Sequence, residues 1–163
     1  MRYFVDMDGT LNEWNFNLSS PELLYREGYF LNRPEQKNIV DAVAGLIAAG
    51  EDVYILSSVL ADSKYALPEK HKWLDRYLCV PEKKRLFPIC GEVKLSCVPG
   101  FNKDTDILID DYGENCRSWA SNGGRYIKVA VNKEDAKHER QEHRYVISPD
   151  MPASEILKAL RNI

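Results

Sequence analysis

A three-layer α/β fold around a parallel sheet is predicted by two observations. Short apolar runs alternate with segments of helical periodicity, the pattern of strands covered by helices on both faces. Three of those runs also end abruptly in polar, mostly acidic residues: Asp6-Met7-Asp8, Ser57-Ser58 and Asp110-Asp111. In parallel sheets, ligands gather beyond the carboxyl ends of the strands. A length of 163 residues suits one domain, and an apolar fraction of 44% excludes a disordered chain.

The elements follow in order. Met1 to Val5 reads as a buried strand opening into Asp6-Met7-Asp8-Gly9-Thr10. Residues 12–35 are irregular and rich in aromatics (Trp14, Phe16, Tyr25, Tyr29 and Phe30) and form a small insert closed by Pro34. Ile39, Val40, Val43, Leu46 and Ile47 recur at helical spacing and Gly50 supplies the stop. Val53 to Leu56 is the next strand. Pro68 starts a helix with Trp73, Leu74, Tyr77 and Leu78 on one face. Residues 85–90 are a weaker strand because Pro88 interrupts them. Asp106 to Ile109 is a strand, a short helix carries Cys116 and Trp119 to Gly123-Gly124, and Tyr126 to Val131 is another strand. Lys133 to Arg144, with His138 and His143, reads as a solvated loop or helix face. Asp150 and Pro152 set up a last helix through Ile156, Leu157 and Leu160.

Lys and Arg total 22 against 25 for Asp and Glu, a net charge of -3, which argues against general nucleic-acid binding. No apolar run approaches a membrane span, and the chain is expected to be cytoplasmic. Cys79, Cys90, Cys97 and Cys116 form no Cys-x-x-Cys pair and read as reduced packing cysteines rather than a zinc site with His71.

Four carboxylates gathered on one rim repel one another unless a cation neutralises them, and an oxygen-only set beside phosphate favours Mg2+. Asp6 and Asp8 are two apart, so strand geometry directs both the same way and turns Met7 into the fold. One attacks a phosphorus while the other manages protons. Gly9 lets the backbone approach phosphate, with Thr10 and neighbouring N–H groups, and Ser57 or Ser58 donates to its oxygens. A lysine upstream of Asp110, either Lys103 or Lys94, balances the transferring charge.

The motifs resemble those of the haloacid dehalogenase superfamily of aspartate-nucleophile phosphatases. Val5 to Leu11 is similar to its first motif, Tyr54 to Ser57 to its second, and Ile107 to Asp111 to its fourth. Within it, Asp6 to Gly9, Gly28-Tyr29-Phe30 with Pro34, Ser57-Ser58, Glu69-Lys70-His71-Lys72-Trp73 and Ile109 to Asp111 resemble the 5'(3')-deoxyribonucleotidases and their bacterial relatives. That resemblance implies a three-layer Rossmann-like fold over 1–163 with a minimal helical cap at about 12–35. It implies a phosphoric monoester hydrolase in which Asp6 forms an aspartyl-phosphate and Asp8 serves as general acid, then base. Mg2+ would be held by Asp6, the carbonyl of Asp8 and Asp111, with Asp110 ligating directly or through water. Ser57 would hold the phosphate, Ser58 being the alternate. Lys103 is preferred as the third-motif lysine because residues 98–103 resemble the loop before it. Trp14 falls where the animal enzymes place an aromatic against the nucleobase, with Phe16, Tyr29 or Phe30 as further platforms. Asn115 would orient Asp111 or cap a helix. The implied substrate is a nucleoside or deoxynucleoside monophosphate. The alternatives are another small or macromolecular phosphate, or a ligand-binding module without catalysis.

Overall fold

The computed structural model describes every residue except Phe16, so the expectation attached to Phe16 lies outside the described residues. Six strands form one all-parallel sheet: β1 (Arg2–Val5), β2 (Asp52–Leu56), β3 (Arg85–Leu86), β4 (Asp106–Asp110), β5 (Arg125–Val129) and β6 (Val146–Ile147), in the order β3-β2-β1-β4-β5-β6. The chain runs outward from β1 to β3 and then returns to the other side of β1. The crevice between β1 and β4 is therefore the switch point at which such sheets hold ligands.

The helices are α1 (Lys37–Ala48), α2 (Ala66–Tyr77), α3 (Gly113–Ser121), α4 (Lys133–Glu139) and α5 (Ala153–Arg161). Strand residues alternate between the two faces. Tyr3, Val5, Ile55, Ile107 and Ile109 pack with the apolar stripes of α1, α2 and α5. Phe4, Leu56 and Leu108 pack with Trp119 of α3. Gly50, at φ +80°, takes the left-handed conformation that stops α1.

Helix α2 begins at Ala66, two residues before Pro68, and β3 stops before Pro88. The stretch from Lys133 to Arg144 holds α4, and the two-residue β6 follows it. His143 is 4% exposed, with Nε2 3.2 Å from Glu139 and Nδ1 2.9 Å from the Tyr126 hydroxyl. Lys128 of β5 pairs with the same Glu139 at 3.1 Å. Most of Lys133 to Arg144 is exposed, as a solvated helix face would be, while His143 is buried in this polar chain.

Between β1 and α1, the described part of the insert holds only the 3-10 helix Pro21–Tyr25. Its base is fastened to the core by Glu69, whose carboxylate accepts the backbone N–H groups of Gly28, Phe30 and Leu31, and by Trp73, which donates to the carbonyl of Arg33. No helix among the described residues is long and apolar enough to cross a membrane.

Candidate active site

Residue Asp6 follows β1 directly, its N–H donating to Ile109 of β4 at 2.9 Å. That pairing puts its carboxylate beside Asp110, the last residue of β4. Leu108 and Asp110 share a sheet face, so Asp110 points toward α3 rather than into the opposite core. Asp6, Asp110 and Asp111 bring carboxylate oxygens within 4.8 Å of one another.

A buried ammonium sits in this cluster. Lys94 lies 2.9 Å from Asp6 and 2.7 Å from Asp110. Burial opposes its charge, but the two carboxylates more than offset burial and hold its pKa above the ordinary lysine value. Lys94 opens a 3-10 turn, Lys94–Cys97, in the segment between β3 and β4. Lys103, by contrast, is exposed and pairs with its neighbour Asp104 at 2.8 Å. The preference for Lys103 is therefore corrected: the likeness of residues 98–103 to a loop does not bring that lysine to the acids, and the lysine beside Asp6 is Lys94.

The carboxylate of Asp110 has no free face. It accepts from Lys94, from the backbone N–H of Tyr112 at 2.8 Å, and from Asn115 at 3.1 Å to each oxygen. Asn115 thus orients Asp110, not Asp111. Burial, then the charges of Asp6 and Asp110, push the Asp111 carboxyl up to about 8 against the opposing pull of Lys94 and Lys128. Asp111 also overlies Gly9, whose φ is +80°, and any Cβ there would collide with the Asp111 carboxylate. Only glycine satisfies both the backbone and that close approach.

The folded state therefore holds a proton on Asp111 that the unfolded chain releases near pH 4. Stability drawn from this group is lost as pH rises toward 8. In chelator, this contribution to the melting temperature is expected to fall steadily between about pH 4 and pH 8. The Asp111→Asn protein should lack that component of the slope, and an unchanged slope would contradict the assignment.

Asp8 is held at both oxygens, by Asn12 at 3.2 Å and by Lys70 at 2.6 Å. The Lys70 ammonium, 1% exposed, also donates to the Ser57 hydroxyl at 2.9 Å and the Ser58 carbonyl at 2.7 Å. Lys70 was missed among the site residues, although it stands in the Glu69-to-Trp73 motif; with Glu69 it tethers Asp8 and the insert to the same turn of α2. Met7 is fully buried, as its position between the two acids required. Thr10 is buried with no partner for its hydroxyl, so it lies within the fold rather than at the cleft surface.

A cavity of about 450 Å³ opens over Asp6, Asp8 and Asp111. Ser57, Ser58 and Lys94 line it, and Trp14, Phe30, Val59 and Leu60 supply apolar wall. Trp14 and Phe30 thus share this cavity with the acids, while Tyr29 does not line it and instead packs edge-on against Phe30.

No family model matches this chain, and no curated protein matches it by sequence. Among solved structures, a D,D-heptose 1,7-bisphosphate phosphatase from Burkholderia thailandensis is similar, with a TM-score of 0.64 over 99% of both chains at 13% identity. Likeness at that identity is likeness of fold. Six parallel strands with helices on both faces give this chain a three-layer α/β fold of the Rossmann type, shared with that structure.

Proposed function

We propose that this chain is a phosphomonoester hydrolase acting through an aspartyl-phosphate on Asp6, with nucleoside or deoxynucleoside monophosphates as favoured substrates. The observation that carries the reading is the pairing of two acids, separated by one residue, with two separate buried lysines, Asp6 with Lys94 and Asp8 with Lys70. Such a division gives each acid a different environment and hence a different task.

The donor set fits a hard divalent cation, since three carboxylates converge and burial, then repulsion from Asp6 and Asp110, pushes the Asp111 carboxyl up. Asp110 is saturated by its hydrogen bonds, so Asp6, Asp111 and the Asp8 carbonyl are the residues that would hold Mg2+. When bound, Mg2+ would draw charge from the phosphoryl oxygens and order the phosphate. The chain's own residues do the rest. Asp6 attacks phosphorus, with Lys94 steadying its carboxylate and the charge that develops beside it. Ser57 and Ser58 bind the phosphate oxygens. Asp8 donates a proton to the departing alkoxide from Oδ1, the oxygen held only by the long amide contact, and then takes one from the water that cleaves the acyl phosphate. Lys70 fixes the direction of both transfers. Trp14 and Phe30 supply the apolar wall for the base, where stacking on one ring contributes about 1–3 kcal/mol.

The name of the similar structure favours one other substrate class, sugar phosphates, with the same roles for Asp6 and Asp8. The test is orthophosphate release from a panel of nucleoside 5'- and 3'-monophosphates and sugar phosphates, with Mg2+ and with chelator. Chelator-sensitive release favouring nucleotides is the expected result. Release from sugar phosphates alone would remove the base-stacking role of Trp14, and no release from any ester would overturn the hydrolase reading.

A further inference from the structure

Beside the cavity over Asp6 lies a second one of about 320 Å³. The two share Ser58, Cys90, Lys94, Tyr112 and Asn115 as common walls. The two cavities therefore adjoin as two arms, of which only the first is lined by Asp6, Asp8 and Asp111. One arm is apolar, walled by Trp14, Phe30 and Leu60. The other runs along the 90–95 segment to the start of α3, past Glu92, Glu114 and Ser118.

The charge of that second arm is one-sided. Among the described residues lining either arm, Lys94 is the sole cation, and it is committed to Asp6 and Asp110. Glu92 is held in place by the Ile89 N–H, which donates to it at 3.0 Å. Glu114 shares its charge with Arg117 at 3.1 Å on the exposed side, leaving Glu92 as the unneutralised acid. A phosphate bound over Asp6 finds its anchors at the floor of the cleft. A second phosphate entering the other arm would meet Glu92, while the one lysine lining that arm, Lys94, is already bound to Asp6 and Asp110.

We propose that Glu92 makes this cleft selective for singly phosphorylated substrates: the second arm receives an uncharged or cationic part of the leaving group and rejects a second phosphate. This rests on the hydrolase reading and narrows its substrate class. It also separates this chain from the similar structure, whose name specifies a bisphosphate.

The experiment compares kcat/KM for thymidine 5'-monophosphate with thymidine 3',5'-bisphosphate, and for fructose 6-phosphate with fructose 1,6-bisphosphate. The monophosphate should be preferred by about tenfold or more at about 0.02 M salt, and the preference should shrink at about 0.5 M, where exposed charges are screened. Glu92→Lys should move the ratio toward the bisphosphate, whereas Glu92→Gln should move it part of the way. Equal use of both esters, or a preference unmoved by salt and by Glu92→Lys, would overturn the proposal. The same ratios measured as binding to the Asp6→Asn protein by calorimetry decide the matter without turnover. Selective binding of monophosphates with no release by the parent protein would remove the hydrolase reading and keep the selectivity.

Discussion

Asp6→Asn is expected to abolish phosphate release, by at least about 10³-fold, while leaving the fold as stable as the parent or more so in chelator. The two halves of that result have one cause. The amide cannot form the acyl phosphate, so the first covalent step is lost. Yet Asp6 is also one of three carboxylates within 4.8 Å, and its charge helps push Asp111 up to about 8. Removing it leaves Lys94 paired with Asp110 at 2.7 Å and relieves repulsion at Asp111. Activity by phosphate release and stability by thermal melting in chelator should therefore move in opposite directions. A substituted protein that retains turnover would sink the nucleophile assignment. One that loses turnover together with several degrees of melting temperature would mark Asp6 as a structural residue.

The frame of the site was legible because strand ends are a local signal. Apolar runs ending in Asp6, Ser57 and Asp110 locate one rim of a parallel sheet, and the pairing of β1 with β2 and β4 follows from that class of fold. Which lysine meets the acids was not legible in the same way, although Lys94 stood beside Lys103 as a candidate. Lys94 reaches Asp6 through a 3-10 turn in a segment with little regular structure, and no periodicity reports where such a segment folds back. Glu69 and Lys70 sit on α2 next to Trp73 and Leu74, where polar residues ordinarily face water. Both instead are buried, because a carboxylate that caps three N–H groups and an ammonium with three acceptors are satisfied without water. A similar satisfaction hides His143: its charged surroundings in sequence read as solvated, while Glu139 and Tyr126 occupy both ring nitrogens. The saturation of Asp110 was equally invisible, since only the three-dimensional count of its donors separates it from Asp111.

Lys94→Met is the converse of the nucleophile substitution. It removes the one cation between Asp6 and Asp110, leaving two buried carboxylates facing each other across the β1/β4 crevice. Breaking a buried pair by deleting one partner costs about 3–5 kcal/mol, which for a chain of this length lowers the melting temperature by about 10 °C in chelator. Much of that loss should be recovered by adding Mg2+, because a divalent ion held by Asp6 and Asp111 supplies charge the lysine no longer does. Turnover should not recover with it. An ion saturated by carboxylates restores the fold's charge balance but does not replace an ammonium placed against the attacking oxygen, so release is expected to stay below the parent's by about 10²-fold or more. Lys103→Ala, at the exposed lysine paired with Asp104, should change neither quantity. If Lys103→Ala abolished release and Lys94→Met did not, the charge balancing the transferring phosphoryl group would have to come from outside the cluster, and the division of labour between the two acids would fall with it.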